Sequence, residues 1–160
     1  MIPSFSLGTP SRIIFGAGKL AELEHSLPAF GSRPLLVLGS SSFTASDGFA
    51  VLERIFTTLA LPVKILHVAT EPSPDLIDGI VADQQYAGID MVISVGGGSV
   101  LDAGKTLAAM LVEGGAVRRF LEGVGSETPS GRKLPFIAVP TTAGTGSEAT
   151  CNAVLSSVGS

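Results

Sequence analysis

The stretch Gly96-Gly97-Gly98-Ser99-Val100-Leu101-Asp102-Ala103-Gly104-Lys105 constrains the fold of this chain more than any other. It follows Asp90-Met91-Val92-Ile93-Ser94-Val95, a short apolar run that reads as a buried strand. It leads into Leu101, Thr106, Leu107, Ala108, Met110 and Leu111, whose spacing reads as a helix. Strand, glycine loop and helix in that order make a phosphate-binding arrangement. The glycines remove Cβ atoms where backbone must approach an anion, and the helix points its unpaired N–H groups and positive dipole end at the same place. Ser99 and Asp102 fit the N-cap and N3 positions of a capping box, which predicts where the helix begins.

The same alternation extends along the chain. Arg12-Ile13-Ile14-Phe15 is a short strand candidate, followed by Gly16-Ala17-Gly18-Lys19-Leu20-Ala21, which spells G-x-G-x-x-A. A dinucleotide fingerprint also needs a longer strand before it and an acidic residue about 20 positions on. The next strand, residues 34–38, ends in Gly39-Ser40-Ser41-Ser42 with no acid, so the first glycine pair reads as a turn. Residues 49–59 have the apolar spacing of a helix packed on a sheet, and 63–68 form the third strand. After Glu71-Pro72-Ser73-Pro74, Asp75 is expected to cap a helix carrying Leu76, Ile77, Ile80 and Val81, and Gly88 to close the turn before residues 90–95.

Beyond the central helix lies a loop rich in glycine and charge. Pro135-Phe136-Ile137-Ala138-Val139 then reads as a fifth buried strand, running into Pro140-Thr141-Thr142-Ala143-Gly144-Thr145-Gly146-Ser147-Glu148. Connections too long for hairpins imply an α/β fold: one three-layer, Rossmann-like domain over residues 1–160, with a mostly parallel sheet and helices on both faces. In such a sheet, loops after strand C-termini share one rim, where ligands bind. The two glycine loops and the residue 39–42 loop are therefore expected side by side.

Composition removes several function classes. A net charge of −4 with no basic stripe argues against a nucleic-acid partner. The amino terminus has neither the basic nor the apolar region of a secretory signal, and apolar runs fall short of the roughly 18 residues of a membrane span. The single cysteine, Cys151, rules out an internal disulfide and fits a cytoplasmic setting; it reads as a small buried hydrophobe. His25 and His67 lack the spacing of a metal site and read as structural or surface residues. The amino-terminal strand candidate, at a sheet edge, predicts pairing with a second copy in a homodimer.

Two rival functions compete with dinucleotide binding. Gly104-Lys105-Thr106 ends like a P-loop of an NTPase, but Gly98 and Gly104 enclose five residues where that motif has four. A non-catalytic dinucleotide-binding regulatory module would use the same loops. Individual residues also have plainer roles open to them: Lys105 in an i,i+3 ion pair with Asp102 on a half-exposed face, Glu148 capping a following helix, and the Thr141 and Thr145 hydroxyls satisfying turn backbone.

Taken together, Phe15-Gly16-Ala17-Gly18, Gly96-Gly97-Gly98-Ser99 with Asp102 and Lys105, and the 140–148 loop resemble the N-terminal, dehydroquinate synthase-like domain of the iron-containing (group III) alcohol dehydrogenases. That resemblance implies an NAD(P)-dependent oxidoreductase that interconverts alcohols with aldehydes or ketones. It implies that Gly97, Gly98 and Ser99 hold the pyrophosphate and that Thr141, Thr142 and Thr145 line the nucleotide and nicotinamide side. Asp102 would face the cleft, and Ser73 would stand beside the adenosine where the family often has Asn. It also implies a helical second domain beyond Ser160, supplying an Asp and three His ligands for iron or zinc, so residues 1–160 alone are not expected to transfer hydride. Many relatives end the second strand in an Asp that holds the adenine ribose. Gly39 occupies that slot, followed by Ser40 and Ser41, and this predicts that NADP is accepted as well as NAD.

Overall fold

The computed structural model describes residues 12–39 and 41–157. Four strands, β1 (Pro34–Leu38), β2 (Lys64–His67), β3 (Met91–Gly96) and β4 (Phe136–Pro140), form one sheet in the order β2-β1-β3-β4, and every neighbouring pair is parallel. The helices are α1 (Leu23–Ser26), α2 (Ser41–Thr44), α3 (Asp47–Thr58), α4 (Pro74–Ala82) and α5 (Gly98–Glu113). Side chains of successive strand residues point to opposite faces, and each face has its own helices. Leu35, Val37 and Val92 meet Ile77 and Ile80 of α4 and Ala103 and Leu107 of α5. Leu36, Leu38, Ile93 and Val95 meet Leu52, Ile55 and Phe56 of α3 with Leu23 and Leu27 around α1. The three-layer α/β expectation holds.

Several local expectations do not. Residues 12–15 form no strand; Ile13 is 75% and Phe15 95% exposed, because this run has no described neighbour to complete a ladder. The G-x-G-x-x-A stretch is, as read, a turn: Gly18 is left-handed and starts a 3-10 helix over Lys19–Glu22. β4, expected to be buried, is only half-buried, since it lies at one edge of the described sheet while β2 lies at the other. Ser73, not Asp75, caps α4: its Oγ accepts from Leu76 N at 3.2 Å, with Pro74 opening the first turn. Cys151 is exposed, not buried, because the 146–152 segment is an open turn on the surface.

The two central strands are pinned at their N-terminal ends by Asp90. Its Oδ1 accepts from Arg33 N at 2.7 Å and its Oδ2 from Ser32 N at 2.8 Å and Ser32 Oγ at 3.1 Å, while Asp90 N donates to Arg33 O. Partial burial pushes this carboxyl upward, but the donors from Ser32 and Arg33 outweigh it and hold the group below its ordinary value.

Helix α5 lies close against β3 at Gly104. A Cβ at Gly104 would stand 1.8 Å from Ser94 Oγ and 2.9 Å from the Phe136 ring, so only glycine lets the helix lie this near. Ser94 is fully buried, and its hydroxyl has no hydrogen-bond partner among the described residues.

Two stability predictions follow from these contacts. Gly104→Ala should cost about 1–3 kcal/mol in urea unfolding, and adding Ser94→Ala should recover part of that loss, giving a non-additive double-mutant cycle. Because the Asp90 carboxyl is depressed in the folded state, its contribution is present above about pH 4 and is lost as pH falls through the folded value. The urea midpoint should therefore drop more steeply between about pH 5 and 3 in the parent protein than in Asp90→Asn.

Candidate functional site

The connection from β1 to β2 runs toward one edge of the sheet and that from β3 to β4 toward the other, so the strand order reverses between β1 and β3. In open α/β sheets the loops leaving neighbouring strands at such a point diverge and leave a crevice. A cleft of about 310 Å³ lies there, lined by Gly39 after β1, by residues 68–71 after β2, by Gly96, Gly97 and Ser99 at the β3–α5 junction, and by Thr141 and Thr142 after β4. The shared rim expected from the sequence is present. Thr141 N donates to Gly96 O at 2.9 Å, extending the β3–β4 ladder and holding the two glycine loops together.

The floor is the N-terminus of α5, which does not begin as the capping-box pattern predicts. Gly97 is the N-cap, in extended conformation, and no side chain caps the helix. Ser99 and Asp102 already lie inside it. The glycine run permits the earlier start, because Gly97 and Gly98 follow the close turn that brings the backbone over β3. Val100 N and Leu101 N both donate to Gly97 O, which leaves the N–H groups of Gly98 and Ser99 without an intrahelical partner. The loops close around bare backbone: a Cβ at Gly97 would sit 3.4 Å from Thr142 Oγ1, and one at Gly98 3.3 Å from Thr145 Cγ2. Positive helix-end potential, free donors and room for an oxyanion coincide.

The other sequence-selected residues divide by position. Gly39 lines the cleft, and a Cβ there would find only Val100 Cγ2, at 3.6 Å. Ser41 opens α2; Ser40 falls outside the described residues. Thr145 is exposed and packs over Gly98, its Oγ1 at 3.5 Å from Ser147 N. Ser73 is engaged as the α4 cap and is not among the lining residues.

Asp102 is also away from the lining. It is 7% exposed and pairs with Lys105 Nζ at 3.0 Å. The ion pair read from the sequence is therefore formed, but on a largely buried face. Lys105 Nζ reaches on to Thr150 Oγ1 at 2.9 Å and to the Asn152 carbonyl, tying the 150–152 segment to α5. This arrangement disposes of the P-loop alternative: Gly104, Lys105 and Thr106 sit in the interior of a helix, with the glycine against Ser94 and the lysine bound to Asp102. Glu148 caps no helix; Ala149 N and Thr150 N both return to Gly146 O in a single turn.

Ser42 lines the cleft within the 39–42 loop expected on the rim, whereas sequence reasoning missed Phe43 and residues 68–71. Phe43 is held edge-to-face against Phe49 of α3, with ring centroids 6.3 Å apart, and the 68–71 segment follows directly from the end of β2. A strand C-terminus was the available signal for the latter. Among the described residues, Glu71 is the one ionisable side chain lining the cleft, and its carboxylate accepts from Ser156 Oγ. Among the described residues, no group of three or more His, Cys, Asp or Glu is placed to hold a metal ion, and no helix is long and apolar enough to cross a membrane.

Residues 10–160 match the family described as iron-containing alcohol dehydrogenase. Long-chain-alcohol dehydrogenase 1 of Geobacillus thermodenitrificans is 34% identical over 156 residues, an alignment covering 91% of this chain and 39% of that protein. The crystal structure of an iron-containing alcohol dehydrogenase superposes with a TM-score of 0.82 at 28% identity, covering 96% of this chain and 42% of that one. Sulfoacetaldehyde reductase from Bifidobacterium kashiwanohense, solved in complex with NAD+, superposes with a TM-score of 0.74 at 27% identity, covering 93% and 39%. The chain thus spans about two fifths of the length of these relatives. An all-parallel sheet, an uncapped helix behind a triple glycine and a match over nearly every residue lead to one conclusion: the chain belongs to the iron-containing alcohol dehydrogenase family.

Proposed function

We propose that the cleft at the β1–β3 switch point holds the dinucleotide of an NAD(P)-dependent alcohol dehydrogenase acting on a small alcohol or aldehyde. The observation that carries this reading is the open N-terminus of α5, where Gly97 and Ser99 line a cleft of about 310 Å³ and no side chain caps the helix. Gly97, Gly98 and Ser99 then hold the pyrophosphate, Thr141, Thr142 and Thr145 border the nicotinamide half, and Gly39, Ser40 and Ser41 border the adenosine ribose. Asp102 acts from behind, by fixing Lys105 and the segment it tethers. The bound nicotinamide would supply hydride transfer to or from the substrate carbon; these residues bind and orient it.

Family membership implies iron or zinc, but no described cluster fits a metal. Its ligands and most of the substrate pocket belong, on this reading, to sequence outside the described residues. A cytoplasmic location suits a nicotinamide enzyme with a single, exposed thiol. A homodimer is proposed on the exposed apolar residues Ile13, Ile14 and Phe15, although these form no strand.

Cofactor choice follows from Gly39. A carboxylate there would accept the ribose hydroxyls and repel a 2′-phosphate, and glycine removes that discrimination. Calorimetric titration should show binding of both NADH and NADPH; binding of neither would overturn the reading. Gly97→Val, whose backbone remains in a β-compatible conformation, should weaken both cofactors by about tenfold or more through loss of charge-assisted contacts. Gly39→Asp should leave NADH binding in place and shift preference toward it, and an unchanged NADH-to-NADPH ratio would remove Gly39 from the specificity site.

A further inference from the structure

The rim of the cleft has an order. Glu71 follows β2, Gly39 follows β1, Gly97 and Ser99 follow β3, and Thr141 and Thr142 follow β4, with the strands side by side as β2-β1-β3-β4. Neighbouring strands stand about 4.8 Å apart, so the β2 side of the rim is roughly 10 Å from the helix end at β3. A pyrophosphate on α5 therefore leaves one half of a dinucleotide over Thr141 and Thr142 and the other over Gly39 and Glu71. That second end is fixed by hydrogen bonds. Val68 N donates to Leu38 O at 2.8 Å, one step past the β1–β2 ladder, and His67 Nδ1 donates to the Gly39 carbonyl at 3.0 Å. Glu71 stands three residues beyond Val68, and among the described residues it brings the one charge to the lining. Ser156 holds this point of the chain: its N–H donates to Pro72 O at 2.9 Å and its Oγ to the Glu71 carboxylate. A carboxylate accepts at both oxygens, so the bond to Ser156 orients the group without exhausting it.

We infer that Glu71 is the residue that discriminates against a 2′-phosphate in this cleft, standing in from β2 for the acid that Gly39 omits at the end of β1. This rests on the dinucleotide reading above. Gly39 leaves room for the phosphate, but room is only one condition. A phosphate monoester adds between one and two negative charges, and beside Glu71 it meets a like charge with no described Arg or Lys in the lining to balance it. A ribose hydroxyl at the same place donates to the carboxylate instead. The pyrophosphate, two strand spacings away, is common to both cofactors and drops out of the comparison. Both cofactors bind through α5, NADH the more tightly.

The test compares NADH and NADPH dissociation constants by calorimetry, at low and high salt, in the protein expressed at its natural full length, as wild type, Glu71→Gln and Glu71→Lys. The wild type should favour NADH by about fivefold or more at low salt. Glu71→Gln should raise NADPH affinity and narrow the preference to less than about twofold, and Glu71→Lys should make NADPH the tighter ligand. Added salt should narrow the preference in the wild type and leave that of Glu71→Gln unchanged, because only the former is a repulsion between charges. A wild type without preference for NADH, equal shifts for both cofactors in Glu71→Gln, or a preference that survives both substitutions would overturn the assignment. Failure of the wild type to bind either cofactor would overturn the dinucleotide reading itself, so the two failures are distinguishable.

Discussion

The contact of α5 with β3 at Gly104 and Ser94 sets the position of everything around the cleft. A helix is a stiff rod, so its height above the sheet at Gly104, in its second turn, fixes where its first turn emerges. Without a Cβ at Gly104 the axis lies close to β3, and the N-terminus comes out directly over the ends of β1 and β3. The buried Ser94 hydroxyl has no hydrogen-bond partner among the described residues, a cost of about 1–3 kcal/mol. A small side chain at that position is what the close approach requires, and serine meets the size requirement at some expense in hydrogen bonding.

That placement also explains the division of labour among the charged residues. The Asp102–Lys105 pair is built into the same helix on a face turned toward the 150–152 segment, and most of its surface is removed from water. Two charges taken this far from solvent need further donors and acceptors, and Thr150 and Asn152 provide them for the lysine. The cleft itself is left with backbone donors, hydroxyls and one carboxylate.

The layers, the parallel order and the shared rim were legible because they follow from apolar periodicity and from the rule that strand ends face one way. The central glycine stretch was legible as an anion site for the same reason. What was not legible depended on choices between equivalent local partners. Ser99 and Asp102 satisfied the capping-box pattern, but the glycines before them allowed the helix to begin earlier, which turned a cap into two interior residues. Ser73 and Asp75 could each cap α4, and Pro74 at the first helical position decided for Ser73. Cys151 followed the statistical habit of cysteines, whereas its surroundings form an open turn. His67 carried no signal in its own sequence, since its partner, Gly39, is brought to it only by strand pairing.

The order of the strands has a consequence in time as well as in space. The innermost ladder joins Pro34 to Met91 and Leu38 to Val95, so the two strands that carry most of the core cannot find each other through a local turn. The β3–β4 ladder likewise waits on a long connection, with Val92 opposite Phe136. Loop-closure entropy must be met before either ladder returns any stabilisation, which places this topology among the slower folders and leaves apolar strands exposed while they wait. The helix-forming segments, whose contacts are local, can form before the sheet that they cover.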